Sequence, residues 1–209
     1  MTNVTLRAGV WLSLALCLAA LPPARAQINQ PAALNYTLPQ IRPDRQALTL
    51  DLARWQPGKN RVLFFFSEQC GVTYFYKSRL QQLQKEFSGK GVAFLGVRCG
   101  KPEISSSATL PAEVNYLSMP FVDDNVGDLT RCFRVQQSLT FAVIDRTGRL
   151  RYRGGFDDSV DETKVRKPYL RAALRDILAG RAVAIPEGRA IGCAIIPIAP
   201  LAQTVPNQP

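Results

Sequence analysis

Cys70, Cys99, Cys132 and Cys193 are the side chains of this sequence best suited to covalent chemistry, and they act without histidine, which is absent from all 209 residues. The absence removes Ser-His-Asp and Cys-His nucleophile pairs, His-ligated zinc hydrolysis and His proton shuttling. Cysteine, carboxylate, lysine and tyrosine remain. Cys70 is the best placed of the four. It follows Ser67-Glu68-Gln69, directly after the apolar run Val62–Phe66, and Gly71-Val72-Thr73 follows it. A side chain at the end of a strand and the start of a helix reaches the carboxyl edge of a sheet, where open α/β folds place ligands. Free N–H groups at a helix start favour thiolate over thiol, and thiolate is the nucleophile of disulfide exchange and of attack on peroxide. Glu68 is expected to oppose this, because one anion disfavours another nearby. A structural Cys70, buried or disulfide-bonded, is the alternative.

The elements around Cys70 follow from periodicity. Val62–Phe66, between the turn Gln56–Asn60 and Ser67, reads as a strand buried on both faces. Val72, Phe75, Tyr76, Leu80, Leu83 and Phe87 recur mostly at steps of three and four, which predicts one amphipathic helix closed by Ser88-Gly89. Val92–Val97 is a second buried strand, 100–118 is loop-like, and Asp123–Phe133 is a short helix with acids at its start. Phe141–Asp145 is a third strand, joined through Arg146-Thr147-Gly148-Arg149 to Leu150–Arg153 as a hairpin. Pro168–Ala179 is a helix with Leu170, Ala173, Leu174, Ile177 and Leu178 as its inner stripe, stopped by Gly180. Leu48, Leu50 and Leu52 alternate with polar residues as a short edge strand. The order implies an α/β fold with a mixed sheet and helices on both faces.

These residues resemble the thioredoxin-like superfamily, in its redoxin branch of the alkyl hydroperoxide reductase and thiol-specific antioxidant type. The resemblance spans roughly 56–195. It rests on Val62–Phe66 leading into Ser67–Thr73, on Val92–Val97, and on Phe141–Asp145 with Gly148 and Tyr152-Arg153-Gly154. It implies a fold built around a redox-active cysteine at the Cys70 position. Gly192-Cys193 resembles the C-terminal end of bacterial redoxin-domain proteins with one cysteine at that junction. The departures are specific. Thr73 stands where a C-x-x-C motif has its second cysteine. Ser138 and Leu139 stand where the family has Thr and a cis-proline, and a cis bond before a non-proline costs about 3 kcal/mol, so a trans bond is expected. Ser67 matches the Thr or Ser three residues before a peroxiredoxin-type cysteine, but Leu63 replaces the proline further back. The peroxide-binding arginine would fall near Leu139.

Cys193 has two readings, a resolving thiol that attacks an oxidised Cys70 or half of a permanent disulfide. Cys99 and Cys132 read as a structural disulfide or as two buried thiols. No C-x-x-C or C-x-C pair exists, and beyond the first 26 residues Met119 is the only soft ligand besides the four cysteines, so neither metal nor other cofactor is expected. Asp157-Asp158, Asp161 and Glu162 lack calcium-loop spacing and read as a solvated loop. Tyr74, Phe75 and Tyr76 read as core and rim packing.

The first 26 residues read as a secretory signal, with Arg7, the apolar run Val10–Leu21 and the triplet Ala24-Arg25-Ala26, cleaved after Ala26. The run is too short to cross about 30 Å of hydrocarbon, so no stable membrane insertion is expected after cleavage. Cys17 would be discarded with it. Residues 27–55 follow as an N-terminal arm, 56–195 as a thioredoxin-like domain and 196–209 as a Pro-rich, flexible tail. The chain carries a net charge of +10 from scattered basic residues, which suits an envelope protein and offers no nucleic-acid-binding pattern. The expected location is periplasmic or secreted. The expected function is a thiol-dependent oxidoreductase using Cys70, with Cys193 as second site residue and protein thiols, protein disulfides or small peroxides as partners. A non-catalytic binding or scaffold module with locked disulfides is the alternative.

Overall fold

The computed structural model describes residues 25–42, 46–100 and 114–195. Most of the expected signal segment, most of the 100–118 loop and the 196–209 tail lie outside them. In chain order the elements are β1 (Thr37–Pro39), β2 (Thr49–Asp51), β3 (Asn60–Phe66), α1 (Val72–Phe75), α2 (Lys77–Ser88), β4 (Val92–Arg98), β5 (Phe121–Asp123), α3 (Asp128–Cys132), β6 (Thr140–Ile144), β7 (Leu150–Gly154) and α4 (Tyr169–Leu178).

The main sheet has the order β5-β4-β3-β6-β7. The β3–β4 and β4–β5 pairs are parallel, and β3–β6 and β6–β7 are antiparallel. This is the thioredoxin-like mixed sheet with flanking helices. β3 is central and fully buried, and its alternate residues serve two cores. Val62, Phe64 and Phe66 pack with Leu80, Leu83 and Phe87 of α2 and with Leu170, Ala173, Leu174 and Ile177 of α4. Leu63 and Phe65 pack on the other face with Leu129, Cys132 and Phe133. An uninterrupted apolar run is therefore what a strand covered on both sides requires.

Several expected elements differ in extent. The helix after Cys70 is split, because Tyr76 ends α1 and begins α2, and its ring is buried in the core. Asp123 ends a strand rather than starting a helix. α3 starts after Gly127, whose φ of 73° is the left-handed turn glycine tolerates. The buried Asp124 carboxylate supplies the helix's missing acceptors, taking the N–H groups of Leu129 and Thr130 and the Thr130 hydroxyl. Leu178 is 37 % exposed, so the inner stripe of α4 ends at Ile177.

The 27–55 segment is a layer of the fold. β1 and β2 form a two-stranded antiparallel sheet, and Leu34, Leu38, Leu50 and Leu52 are buried in the Leu63/Phe65 core. Ala26 is buried there too, its N–H on the Cys132 carbonyl at 2.9 Å. Both sheet edges are covered. Gln40 bridges Val122 beside β5, and Glu187 bridges Arg153 of β7. Such cover blocks edge-to-edge association.

The acidic loop after β7 is not wholly solvated. Asp157 is buried against Arg79 at 2.5 Å, and the Tyr76 hydroxyl donates to it at 3.2 Å. The same guanidinium donates to the carbonyls of Ser159 and Val160. This network pins the loop onto α2. Among the described residues no helix is long and apolar enough to cross a membrane.

Candidate dithiol site

Cys70 lies beyond the end of β3, four residues after Phe66. The last segment of the described chain returns to meet it. Residues 186–195 run first along β7, where Arg153 N–H donates to the Pro186 carbonyl and Gly188 N–H donates to the Arg153 carbonyl. They then cross to the loop before β6. Ser138 N–H donates to the Cys193 carbonyl at 2.9 Å, and Ile195 N–H to the Gln136 carbonyl at 2.9 Å. This strap brings Cys193 onto Cys70, and the Cys193 N–H donates to the Cys70 Sγ at 3.1 Å. Both thiols are free.

Glycine makes the approach possible. A Cβ on Gly192 would stand 1.9 Å from the Ser138 carbonyl oxygen, and one on Gly155 would stand 2.3 Å from that of Arg189. Only a residue without a side chain lets the two backbones come this close.

Ser138 completes a closed set of hydrogen bonds. It is fully buried. Its hydroxyl oxygen accepts the Ser67 N–H at 3.0 Å, and its hydroxyl donates to Cys70. The next residue, Leu139, has φ of 60° and donates its N–H to the Phe65 carbonyl at 2.9 Å. Among the described residues no peptide bond is cis, so the expected trans bond before Leu139 is present. Leu139 is buried and apolar, with nothing to offer a peroxide.

The electrostatics separate the two thiols. Burial pushes the Cys70 thiol up, but the Cys193 thiol, the Cys193 N–H, the Ser138 hydroxyl and the Val72 N–H together hold it below its ordinary value. Burial, and then the hydrogen bond and charge of Cys70, push Cys193 up. The pair therefore holds its first negative charge on Cys70, with Cys193 as donor. The helix-start argument accounts for one donor only, the Val72 N–H, since α1 has four residues. The expected opposition from Glu68 is cancelled by Arg98, which binds Glu68 at 2.6 Å and Asp123 at 2.6 Å.

Cys99 and Cys132 are not joined. Both are buried free thiols in the Leu63/Phe65 core. Burial, aided by the Asp124 charge, pushes Cys99 far up, and its thiol donates to the Phe66 carbonyl at 3.4 Å. The Thr130 hydroxyl also reaches Cys99 without offsetting its burial, and Cys132 is hydrogen-bonded to Tyr36. The aromatic run divides. Tyr76 is core, while Tyr74 and Phe75 are 65 % and 62 % exposed, edge to face at 6.1 Å, on the short helix that follows Cys70. The structure brings together Cys70 and Cys193, the two residues the sequence singles out, and adds Ser138 as a donor. The sequence signal for Ser138 is its position before Leu139, at the departure from the family's Thr and cis-proline.

Residues 29–153 match the model of the AhpC/TSA family. No curated protein matches the chain by sequence. Three solved structures show the same fold. A hypothetical protein from Sinorhizobium meliloti 1021 has a TM-score of 0.69 at 23 % identity, over 83 % of this chain and 96 % of that one. An uncharacterized conserved protein from Geobacillus kaustophilus has a TM-score of 0.65 at 20 % identity, over 84 % and 96 %. A candidate thiol:disulfide interchange protein DsbE from Chlorobium tepidum has a TM-score of 0.53 at 18 % identity, over 74 % and 97 %.

Proposed function

The chain belongs to the AhpC/TSA family, and from that premise we propose that it is an exported thiol–disulfide oxidoreductase whose working centre is the pair Cys70 and Cys193. The observation that carries this reading is the Cys193 N–H on the Cys70 sulfur at 3.1 Å. Two free thiols held this close, one stabilised as thiolate, interconvert with a disulfide without rearranging the sheet. Export rests on the apolar N-terminal run and its Ala-Arg-Ala end, and it supplies a compartment in which such a pair is used.

Disulfide exchange is favoured over peroxide reduction. Leu139 stands near where the family resemblance places a peroxide-binding arginine, and Arg98 is bound by two carboxylates. Attack on peroxide benefits from a fixed positive charge on the leaving oxygen. Exchange between sulfurs needs only a stabilised thiolate and a second thiol in line. The exposed Tyr74 and Phe75 suit a polypeptide substrate, because aromatic side chains left in water beside a reactive centre gain by being covered.

The test is catalysed exchange between a small dithiol and a disulfide-bearing peptide, with the Cys70→Ser and Cys193→Ser chains as controls. Both variants are expected to lose turnover. Full activity in the Cys70→Ser chain overturns the assignment. A Cys70–Cys193 disulfide that survives mild dithiol treatment supports the non-catalytic module instead. Turnover with hydrogen peroxide exceeding that with the peptide replaces exchange by peroxide reduction.

A further inference from the structure

The two thiols of the pair are not equally open. Cys70 is 2 % exposed, while Cys193 is half-buried. The strap contributes to the cover of Cys70 through the Cys193 backbone, whose N–H lies on the Cys70 sulfur at 3.1 Å, and the strap is fixed. It is hydrogen-bonded to Arg153 of β7, to Ser138 and to Gln136, and Gly192 sits closer to the Ser138 carbonyl than any side chain permits. Reaching Cys70 from solvent would require lifting residues 186–195 from the β7 edge and from the loop before β6. Reaching Cys193 requires no such movement.

The donors point the other way. The Cys193 N–H and the Ser138 hydroxyl converge on Cys70. These donors are in place before any reaction and cost no reorganisation when charge appears on that sulfur. A sulfur that is shielded but well supplied with donors is poorly placed to meet a substrate. It is well placed to depart as a thiolate.

Building on the dithiol reading above, we propose that Cys193 presents the sulfur that substrates attack, that Cys70 is its shielded leaving group, and that the pair thereby oxidises protein dithiols. A substrate thiolate attacks the Cys193 Sγ of the Cys70–Cys193 disulfide. The intramolecular S–S bond breaks, its electron pair departs on Cys70 Sγ, and a mixed disulfide forms on Cys193. A second thiolate of the same substrate then attacks the substrate's own sulfur in that mixed disulfide. The substrate disulfide forms, and the electron pair departs on Cys193 Sγ, which takes up a proton. Two electrons have passed from the substrate dithiol to the protein. A disulfide-bearing oxidant restores the pair by the reverse sequence. Departure from Cys193 is the slower step, because burial and the neighbouring Cys70 raise its pKa and make it the poorer leaving group.

Two measurements on the full chain, free of substitutions, test this. The oxidised protein is mixed with excess reduced glutathione, quenched in acid at short intervals, and mapped by peptide mass. Glutathione is expected on Cys193 in roughly tenfold excess over Cys70, and equal labelling or a preference for Cys70 overturns the assignment of the attacked sulfur. The protein is then equilibrated in glutathione redox buffers. It is expected to hold its dithiol form in about tenfold excess over the disulfide where reduced and oxidised glutathione are each about 1 mM, two reduced molecules being consumed per disulfide opened, and a pair that stays mainly oxidised there overturns the oxidising direction. Starting material without a Cys70–Cys193 disulfide is a different failure, since it removes the dithiol reading itself.

Discussion

At the scale of single residues, the contrast between Cys70 and Cys99 shows how little residue type decides. Both are buried cysteines beyond the ends of neighbouring strands, Cys70 four residues after β3 and Cys99 directly after β4. One receives donors and is held low, and the other is desolvated beside Asp124 and pushed up. Cys193 separates them most, and Ser138 comes next. In Ser138→Ala, Ser67 N–H loses its acceptor and Cys70 loses a donor. The expected result is a loss of about 1–3 kcal/mol in urea unfolding, together with an upward shift in the pH midpoint of Cys70 alkylation. A purely structural serine would give the first effect and leave the midpoint unchanged. Linkage has a definite sign here. The folded Cys70 pKa lies below that of the unfolded thiol, near about 8.5. The reduced protein therefore gains stability as pH rises through the folded value, keeps all of it above the unfolded value, and loses it as pH falls through the folded value. Urea melts of the reduced chain across neutral to alkaline pH, with Cys70→Ala as reference, read this directly.

At the scale of elements, the strap of residues 186–195 carries the site, and its glycines are the points where it can be tested. Gly192→Ala places a methyl group against the Ser138 carbonyl. Overpacking of this kind costs about 1–3 kcal/mol. The expected phenotype is a strap lifted from Cys70, with slower disulfide closure and faster alkylation of Cys70, while far-UV circular dichroism is unchanged. Slower alkylation in that variant would show that the strap does not shield the thiol. α1 makes a separate prediction. Tyr74→Ala combined with Phe75→Ala removes exposed rings and should change stability by no more than about 0.5 kcal/mol. KM for a disulfide-bearing peptide should rise, while exchange with a small thiol stays constant.

At the scale of the whole molecule, the two faces of β3 need separate covers. α2 and α4 cover Val62, Phe64 and Phe66, and the N-terminal layer with α3 covers Leu63 and Phe65. Leu34, Leu38, Leu50 and Leu52 each contribute about 1.5–3 kcal/mol of burial, which together rivals the whole stability of an ordinary domain, about 5–15 kcal/mol. A chain begun at Gln56 should therefore fail to give a cooperative thermal transition, whereas one begun at Ala26 should keep it. Acid should attack the opposite end of the sheet. Asp145 is buried, which raises its pKa, but the Thr147 hydroxyl, the Arg149 N–H and Arg151 hold it below the ordinary value. Its stabilisation is complete above the unfolded value of about 3.9 and disappears as pH falls through the folded value. An Asp145→Asn chain should be less stable at neutral pH and show a flatter stability profile in acid.

The thioredoxin-like fold was legible in the residues, because a five-residue apolar run, three- and four-step periodicity and a Gly-bearing hairpin are local signals that survive without tertiary context. Cys70 was legible for the same reason, as a cysteine at the junction of two such elements. The split of the helix at Tyr76, strand β5 and the packed N-terminal layer were not, since each is decided by burial against residues distant in sequence. The partnership of Cys70 with Cys193 across 123 residues belongs to that second class. Sequence supplied two thiols and a glycine, and only the return of the strap across β7 and Ser138 decided which thiol faces water and which receives the hydrogen bonds.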